Sequence, residues 1–132
     1  MPVYPQLLHT VLDSTDVRRL AEFYRELLGL RYRPGDEPPA ELDWLVLTDA
    51  AGTRVLAFQQ VDSLPRATWP RHDVPQQLHL DFTVPDVAEL ERQCQRAQAL
   101  GAELRLDRTS DPDEPLYAFA DPDGHPFCIF TG

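Results

Sequence analysis

The stretch QLLHTVLDSTDV, at residues 6–17, returns in altered form as QQLHLDFTVPDV at residues 76–87. At an offset of 70, His9 in the first stretch stands against His79 in the second. Apolar and polar residues alternate through the second stretch, which is typical of a β-strand with one buried face. The two stretches therefore indicate an internal repeat, from which the rest of the chain can be aligned.

Both halves show the same order of predicted elements, which is a strand, a helix and three further strands. In the first half these elements are a strand at 6–13, a helix at 16–28 and strands at 30–33, 43–49 and 54–61. In the second half they are a strand at 77–84, a helix at 86–100 and strands at 103–107, 116–120 and 126–131. We therefore predict one domain over residues 1–132, made of module one (1–62), a proline-rich linker (63–75) and module two (76–132).

Local signals at helix ends and turns support this assignment. Gly29 and Gly101 follow the two helices, as the left-handed C-terminal position prefers. Asp86 and Glu89 have the spacing of a capping box at the start of the second helix. Two hairpin turns run from Asp to Gly, at 49–52 and 121–124. The apolar stripes expected to face the core are Val17, Leu20, Tyr24, Leu27 and Leu28 in the first helix and Val87, Leu90, Cys94 and Ala97 in the second.

The charge balance of the chain excludes several classes of function. The formal net charge is −10, and all twelve basic residues are arginines. Because binding to phosphate backbones and anionic membranes depends on basic patches, we expect neither nucleic acid nor a membrane as a partner. The absence of lysine also excludes a P-loop lysine and Schiff-base catalysis through a side chain.

Cysteine usage and hydropathy indicate the cellular compartment. The apolar runs are too short to span a bilayer, and the N-terminal residues lack the pattern of a secretory signal. The two cysteines, Cys94 and Cys128, form neither a CxxC motif nor a disulfide framework. Because such usage suits a reducing compartment, the sequence predicts a cytoplasmic protein.

The tandem βαβββ repeat has a histidine in the first strand of each half and closes with DPDGHPFCIF at 121–130. In these features it resembles the vicinal oxygen chelate superfamily, which includes glyoxalase I, bleomycin and fosfomycin resistance proteins, methylmalonyl-CoA epimerases and extradiol dioxygenases. The resemblance covers essentially the whole chain, and LLHTVLDSTDVRRLAEFYRELLGL at 7–30 is similar to the opening of glyoxalase I. It implies an α+β fold in which the modules form a curved mixed sheet around a cavity, with the helices outside. It also implies a homodimer.

Metal-using members of this superfamily hold the ion with histidines on the first strand and glutamates on the last strand of each module. Carried over by position, the histidines fall on His9 and His79, while the glutamates fall on Ala57 and Cys128. The resemblance therefore implies that both histidines are kept and both carboxylates are lost. A divalent metal (zinc, iron, nickel or manganese) held by His9 and His79 is one interpretation, and a site without metal is equally consistent with the sequence.

The residues that we expect to contact a small-molecule ligand are His9, Gln59, Trp69, His79 and Cys128. Some of them have a purely structural alternative. His79 also fits a solvated strand face, and Cys128 also fits a hydrophobic core. Trp69 lies in the linker, where an aromatic residue serves either as a lid over a site or as a plug in a hydrophobic gap.

Two main classes of function are consistent with these residues. In the first, the protein captures a small organic molecule without a metal, as bleomycin resistance proteins do. In the second, it is a lyase, isomerase or dioxygenase in which a divalent ion stabilises a developing enolate. The lost carboxylates favour the first class and the paired histidines favour the second. A regulatory ligand-binding domain without turnover is a third possibility, and no catalytic residue follows from the sequence.

Overall fold

A computed structural model describes residues 2–132, and the chain divides into two compact units. The first unit ends at Ser63 and the second spans Leu64–Gly132. Each unit contains one helix and one four-stranded mixed sheet. The predicted α+β class with tandem βαβββ modules is therefore confirmed, and the linker residues from Leu64 onward fall within the second unit.

Module one contains the first four strands and the first helix. Its elements are β1 (Thr10–Ser14), α1 (Val17–Leu28), β2 (Arg31–Tyr32), β3 (Trp44–Thr48) and β4 (Arg54–Gln60). The strand order is β1-β4-β3-β2, in which β1 and β4 are parallel and the other pairs are antiparallel. The parallel pair brings the first and last strands of the module side by side.

Module two repeats this arrangement in the second unit. Its elements are β5 (Leu80–Val84), α2 (Val87–Leu100), β6 (Glu103–Asp107), β7 (Leu116–Ala120) and β8 (Pro126–Thr131). The strand order is β5-β8-β7-β6, again with a parallel pair between the first and last strands. Neither of the two helices has the length and apolar composition needed to cross a membrane.

Helix α1 begins and ends as the sequence predicts. The Asp16 side chain accepts a hydrogen bond from the backbone N–H of Arg19 at 3.2 Å, and Gly29 closes the helix with φ of 68°. Tyr24 stacks on Phe58 of β4 with ring centroids 6.0 Å apart, so this side of the sheet faces α1. The apolar stripe of the helix therefore forms the core of module one.

Helix α2 differs from the prediction at its first turn. The Asp86 side chain caps the helix, but the Glu89 side chain bonds Gln93 and Arg92 rather than returning to the cap. Val87, expected in the core, is 54% exposed, whereas Val17 at the same place in module one is 4% exposed. In module one the Gln60 side chain reaches the backbone N–H of Val17 at 3.2 Å. By register, its counterpart in module two is the shorter Thr131.

The first strand of each module begins later than predicted. Hydrogen-bonded pairing starts at Thr10 and Leu80, so His9 and His79 each lie immediately before a strand rather than within it. Leu78, which precedes His79, is 41% exposed. The residues before Thr10 and Leu80 have no paired residue on the neighbouring strand. The alternation of apolar and polar residues does not by itself show where backbone pairing begins.

The linker packs against module two. A guanidinium nitrogen of Arg66 donates to the carbonyl of Pro122 at 2.7 Å, next to the turn between β7 and β8. Farther along, the backbone N–H of Thr68 donates to the carbonyl of Val74 at 2.9 Å and closes a loop. The linker is therefore an ordered part of the second unit.

Candidate functional site

One side of the module-one sheet faces away from α1, and we call it the helix-distal face of module one. In the register, Ala57 lies between Val11 of β1 and Val46 of β3. Gln59 lies between Asp13 of β1 and Trp44 of β3. Alternation places the neighbouring residues of each strand, such as Phe58, on the side of α1. The residues of this face are His9, Val11, Asp13, Trp44, Val46, Ala57 and Gln59.

His9 stands at the entrance of β1 beside an aromatic wall. Its ring lies 6.1 Å from that of Trp44, at an interplanar angle of 50°. The Nδ1 atom is buried and has no hydrogen-bond partner within residues 2–132. Burial lowers the pKa of His9, and the positive charges of Arg54 and Arg33 lower it further. A neutral imidazole with an unused ring nitrogen is suited to hydrogen bonding with a ligand.

Ala57 and Gln59 lie two residues apart on β4 and therefore occupy the same face. Ala57, at the position carried over for a metal-binding glutamate, is fully buried and offers only a methyl group. Gln59 is exposed and sits between Asp13 and Trp44 in the register. The face therefore has an apolar floor with an aromatic ring and polar groups around it, which is the usual lining of a small-molecule site.

The helix-distal face of module two carries His79 and Cys128. Asp81 lies opposite Cys128, and His79 Nε2 is 3.4 Å from Asp81 Oδ1. Both members of the His79–Asp81 pair are about half exposed. Burial raises the pKa of Cys128 to about 11, and the carboxylate of Asp81 adds to this shift. The pair is accessible and polar, while the thiol beside it stays protonated at neutral pH.

Trp69 belongs to the second unit, where its backbone is fixed. Its carbonyl accepts a hydrogen bond from Arg105 Nη1 at 3.1 Å, and its side chain is partly exposed. The predicted contact of Trp69 with a ligand stays a prediction, as do the ligand contacts of His9, Gln59, His79 and Cys128.

Trp44 and Tyr117 lie on the corresponding strands β3 and β7 but face opposite sides of their sheets. The register places Trp44 with Gln59 on the helix-distal face, whereas Tyr117 faces α2 and donates from Oη to Glu91 at 2.6 Å. The counterpart of Trp44 in module two is Leu116, because it pairs with Phe130 as Trp44 pairs with Gln59. Trp44 is thus a candidate site residue that the register reveals.

The donor atoms present do not make a complete metal site. No three His, Cys, Asp or Glu side chains within residues 2–132 are grouped so that they could hold a metal ion. Ala57 has no donor atom, and the thiol of Cys128 is protonated near neutral pH. Because divalent ions require several well-placed ligands, the donor atoms present do not fit a divalent metal ion.

Two surface grooves lie elsewhere in the first unit and contain none of the predicted site residues. One, of about 540 Å³, is lined by residues at the start of α1 and in the loop before β3, including Arg18, Pro39 and Asp43. The other, of about 530 Å³, lies around Tyr32 and Arg25. In the first of them Arg18 is bound to the carbonyls of Asp36 and Ala40, so its charge is already used.

Comparison with known protein families gives one match, which covers residues 9–130. The matching family is described as a glyoxalase-like domain. A comparison with curated protein sequences gives no match. His9, immediately before β1, is the first residue of the matched range, and the range ends at Phe130, one residue before the end of β8.

Solved structures with the same fold cover nearly the whole chain. A fosfomycin resistance protein, FosX from Mesorhizobium loti, is 21% identical over 98% of this chain and 94% of its own, with a TM-score of 0.68. A glyoxalase/bleomycin resistance protein/dioxygenase family enzyme from Burkholderia phytofirmans PsJN is 16% identical over 94% and 96%, with a TM-score of 0.70. A FosX variant from Listeria monocytogenes, complexed with Mn(II) and 1S,2S-dihydroxypropylphosphonic acid, is 22% identical over 98% and 94%, with a TM-score of 0.71. At these identities the likeness establishes the fold.

Proposed function

Because the chain belongs to the glyoxalase-like domain family, we propose that it captures a small organic molecule on the helix-distal faces of its modules without a full metal-ligand set. The residues that would contact the ligand are His9, Trp44, Gln59, Trp69, His79 and Cys128. That one ligand contacts both faces at the same time stays a prediction.

One observation carries this proposal, and it is the position of Ala57. The residue that would supply a carboxylate to a metal is a buried methyl group, flanked by Val46 and Val11 in the register. Beside it, the partly exposed side chains of Val11 and Trp44 would contact the carbon atoms of a ligand, which gains roughly 25 cal/mol per Å² of apolar surface buried. The polar groups of His9 and Gln59 would then orient the ligand.

The names of the structural relatives support a small-molecule ligand. Two are fosfomycin resistance proteins, and one belongs to a family named for bleomycin resistance. The net charge of −10 favours a cationic ligand in general terms, whereas the surroundings of His9 are locally positive. A homodimer and a cytoplasmic location are further parts of the proposal, and sedimentation velocity tests the first.

The test is a binding screen with and without metal. The chelator-treated protein is titrated with a panel of small molecules that includes bleomycin and fosfomycin, in EDTA and in Mn(II), and its melting temperature is recorded. A Trp69→Phe variant makes Trp44 the only tryptophan, so its fluorescence reports binding on the helix-distal face of module one. We expect a ligand that binds in EDTA and loses at least about tenfold in affinity in His9→Ala.

The alternative is a divalent-metal enzyme that uses His9 and His79, and the accessible His79–Asp81 pair favours it. A FosX relative was solved with Mn(II), which makes the same metal a suitable probe. If binding requires Mn(II) and is lost in both His9→Ala and His79→Ala, the metal-free proposal is wrong. If no member of the panel binds in either condition, capture through these faces is also wrong.

A further inference from the structure

The positive charges of Arg54 and Arg33 act on the ring of His9, although the chain as a whole carries a net charge of −10. Of the two, Arg54 lies on β4, the strand that pairs with β1. An arginine guanidinium matches the oxygen atoms of a carboxylate or phosphonate and binds them through two parallel hydrogen bonds. An arginine on the strand next to that of His9, with the Trp44 ring beside the imidazole, is therefore suited to an organic anion.

Arg33 reaches this face as an extension of β2. Its backbone N–H donates to the carbonyl of Val46 at 2.9 Å, so it continues the pairing of β2 with β3. Val46 in turn pairs with Ala57 on the helix-distal face. The guanidinium of Arg33 is held by Asp36, with Nη2 3.2 Å from Oδ2. Arg33 thus supplies a fixed charge that is already partly neutralised.

Arg54 is the first residue of β4. The register shifts by one residue between Leu47 and Thr48, so Arg54 pairs with Thr48 and lies on the side of Val46 rather than on that of Leu56. Its side chain is half-buried, and no ion pair or hydrogen bond of that side chain is formed within residues 2–132. A guanidinium that is partly removed from water without a partner gains more from an anion than a solvated one does. Arg54 is therefore the charge on this face that a ligand can use.

Acidic groups near this face form no ion pair with Arg54 within residues 2–132. Asp49, in the turn before Arg54, accepts backbone hydrogen bonds with its Oδ1 instead. Asp36 is paired with Arg33. Asp13 lies opposite Gln59, five residues along β4 from Arg54, which is about 16 Å at roughly 3.3 Å per residue. This separation exceeds the physiological screening length of about 8 Å. The end of the face around His9 is therefore positive, and the end around Gln59 is negative.

We propose that the ligand of module one carries an oxyanion, a carboxylate or a phosphonate, that pairs with Arg54 while its organic part lies against His9 and Trp44. This inference rests on the proposed function and names the ligand class for the same face. The unused Nδ1 of His9 provides an additional hydrogen bond to the ligand.

The experiment compares anions with neutral molecules of the same shape. Benzoate is paired with benzamide, and phenylphosphonate with dimethyl phenylphosphonate, so that the two arms separate carboxylate from phosphonate. Dissociation constants are measured by calorimetry at fixed ionic strength on the full chain. We expect at least one anion to bind about tenfold more tightly than its neutral partner, as one charge-assisted hydrogen-bonded pair provides.

Arg54→Gln should remove this preference, and Arg54→Lys should restore part of it because the charge returns without the planar fork. The matched control is Arg92→Gln, which removes the same charge from an exposed position on α2. Unchanged urea unfolding of Arg54→Gln shows that the variant is folded, and Arg54→Lys supplies a second measurement if it is not. Equal losses in Arg54→Gln and Arg92→Gln would overturn the inference.

Two other outcomes separate this inference from the proposed function. If anions and neutral partners bind equally, and His9→Ala weakens both, the capture function stands and the oxyanion inference is wrong. If neither the probes nor the larger panel of small molecules bind, the proposed function fails and the inference fails with it.

Discussion

Asp81 on β5 lies directly opposite Cys128 on β8, in the parallel pair that joins the first and last strands of module two. In metal-using relatives this β8 position would hold a glutamate, by the carry-over from the resemblance. In this chain the position holds the thiol of Cys128, and the carboxylate of Asp81 lies on the neighbouring strand. The negative charge of Asp81 disfavours the thiolate form of Cys128, so the neighbours make the thiol inert rather than reactive.

We therefore predict slow alkylation of Cys128 at neutral pH. Burial and Asp81 raise its pKa from near 9 to about 11, which reduces the thiolate at pH 8 by roughly a hundredfold. Asp81→Asn should lower the pKa and speed labelling roughly two- to fivefold. The measurement is the iodoacetamide rate against pH, read by peptide mass spectrometry to distinguish Cys128 from Cys94. Asp13→Asn is the matched control, and a rate that levels off below pH 9 would contradict the prediction.

Gly124 and Gly52 occupy equivalent turns, but only one is crowded. Their φ angles are +96° and +85°, so any side chain is strained at both by about 1–2 kcal/mol. A methyl group on Gly124 would lie 3.0 Å from Arg66 Cβ and 3.2 Å from its Cα, whereas Gly52 faces open space. Gly124→Ala should therefore lower the free energy of unfolding more than Gly52→Ala does, as measured by urea denaturation. Equal losses would show that the linker moves aside without cost.

Local chemistry explains why much of the fold could be predicted. The bounds of β6, β7 and β8 agree with the prediction, and both helix starts were found within one residue. Asp16, Gly29 and the turn that begins at Asp121 act through hydrogen bonds within a few residues, so their effect is visible in the sequence. Such short-range signals need no knowledge of the tertiary structure.

The candidate site was predicted only in part, because it depends on pairing between distant residues. The side that Trp44 faces follows from its register with Gln59, and the same sheet has an irregularity between Leu47 and Thr48. The effect of Arg33 and Arg54 on His9 depends on the strand order, which joins β2, β3 and β4 to β1 in one sheet. None of these relationships leaves a periodic pattern in the sequence.

Asp36 is a buried carboxylate that the sequence pattern does not distinguish from its acidic neighbours. It accepts a hydrogen bond from the backbone N–H of Val46 at 2.9 Å and pairs with Arg33. Asp36→Ala leaves that buried N–H without a partner, so we expect a loss of about 1–3 kcal/mol in the free energy of unfolding. Asp36→Asn keeps an acceptor and should lose less. Glu37→Ala is the exposed control. If Asp36→Ala lowers the free energy of unfolding as little as Glu37→Ala does, Asp36 does not stabilise the fold through Val46.

Glu22 links α1 to the strand that follows it. Its Oε2 accepts hydrogen bonds from Arg25 Nε at 2.8 Å and from Tyr32 Oη at 2.6 Å. The bond from Arg25 contributes most to lowering the pKa of Glu22 below its ordinary value, and the bond from Tyr32 lowers it further. The folded chain therefore binds this proton less readily than the unfolded chain does.

The expected consequence is a specific loss of stability in acid. Since the folded pKa of Glu22 is lowered, its contribution is complete above the ordinary pKa of 4.5 and is lost as the pH falls through the folded value. The side chain is 39% exposed, so solvent screening limits the effect to less than about 1 kcal/mol. Urea unfolding of wild type and Glu22→Gln should differ at pH 6 and converge toward pH 3. Glu41→Gln, the control, removes a charge from an exposed position in the same unit. If its free energy of unfolding also differs from that of wild type at pH 6 and converges toward pH 3 to the same extent, the effect is a general one of charge and not specific to Glu22.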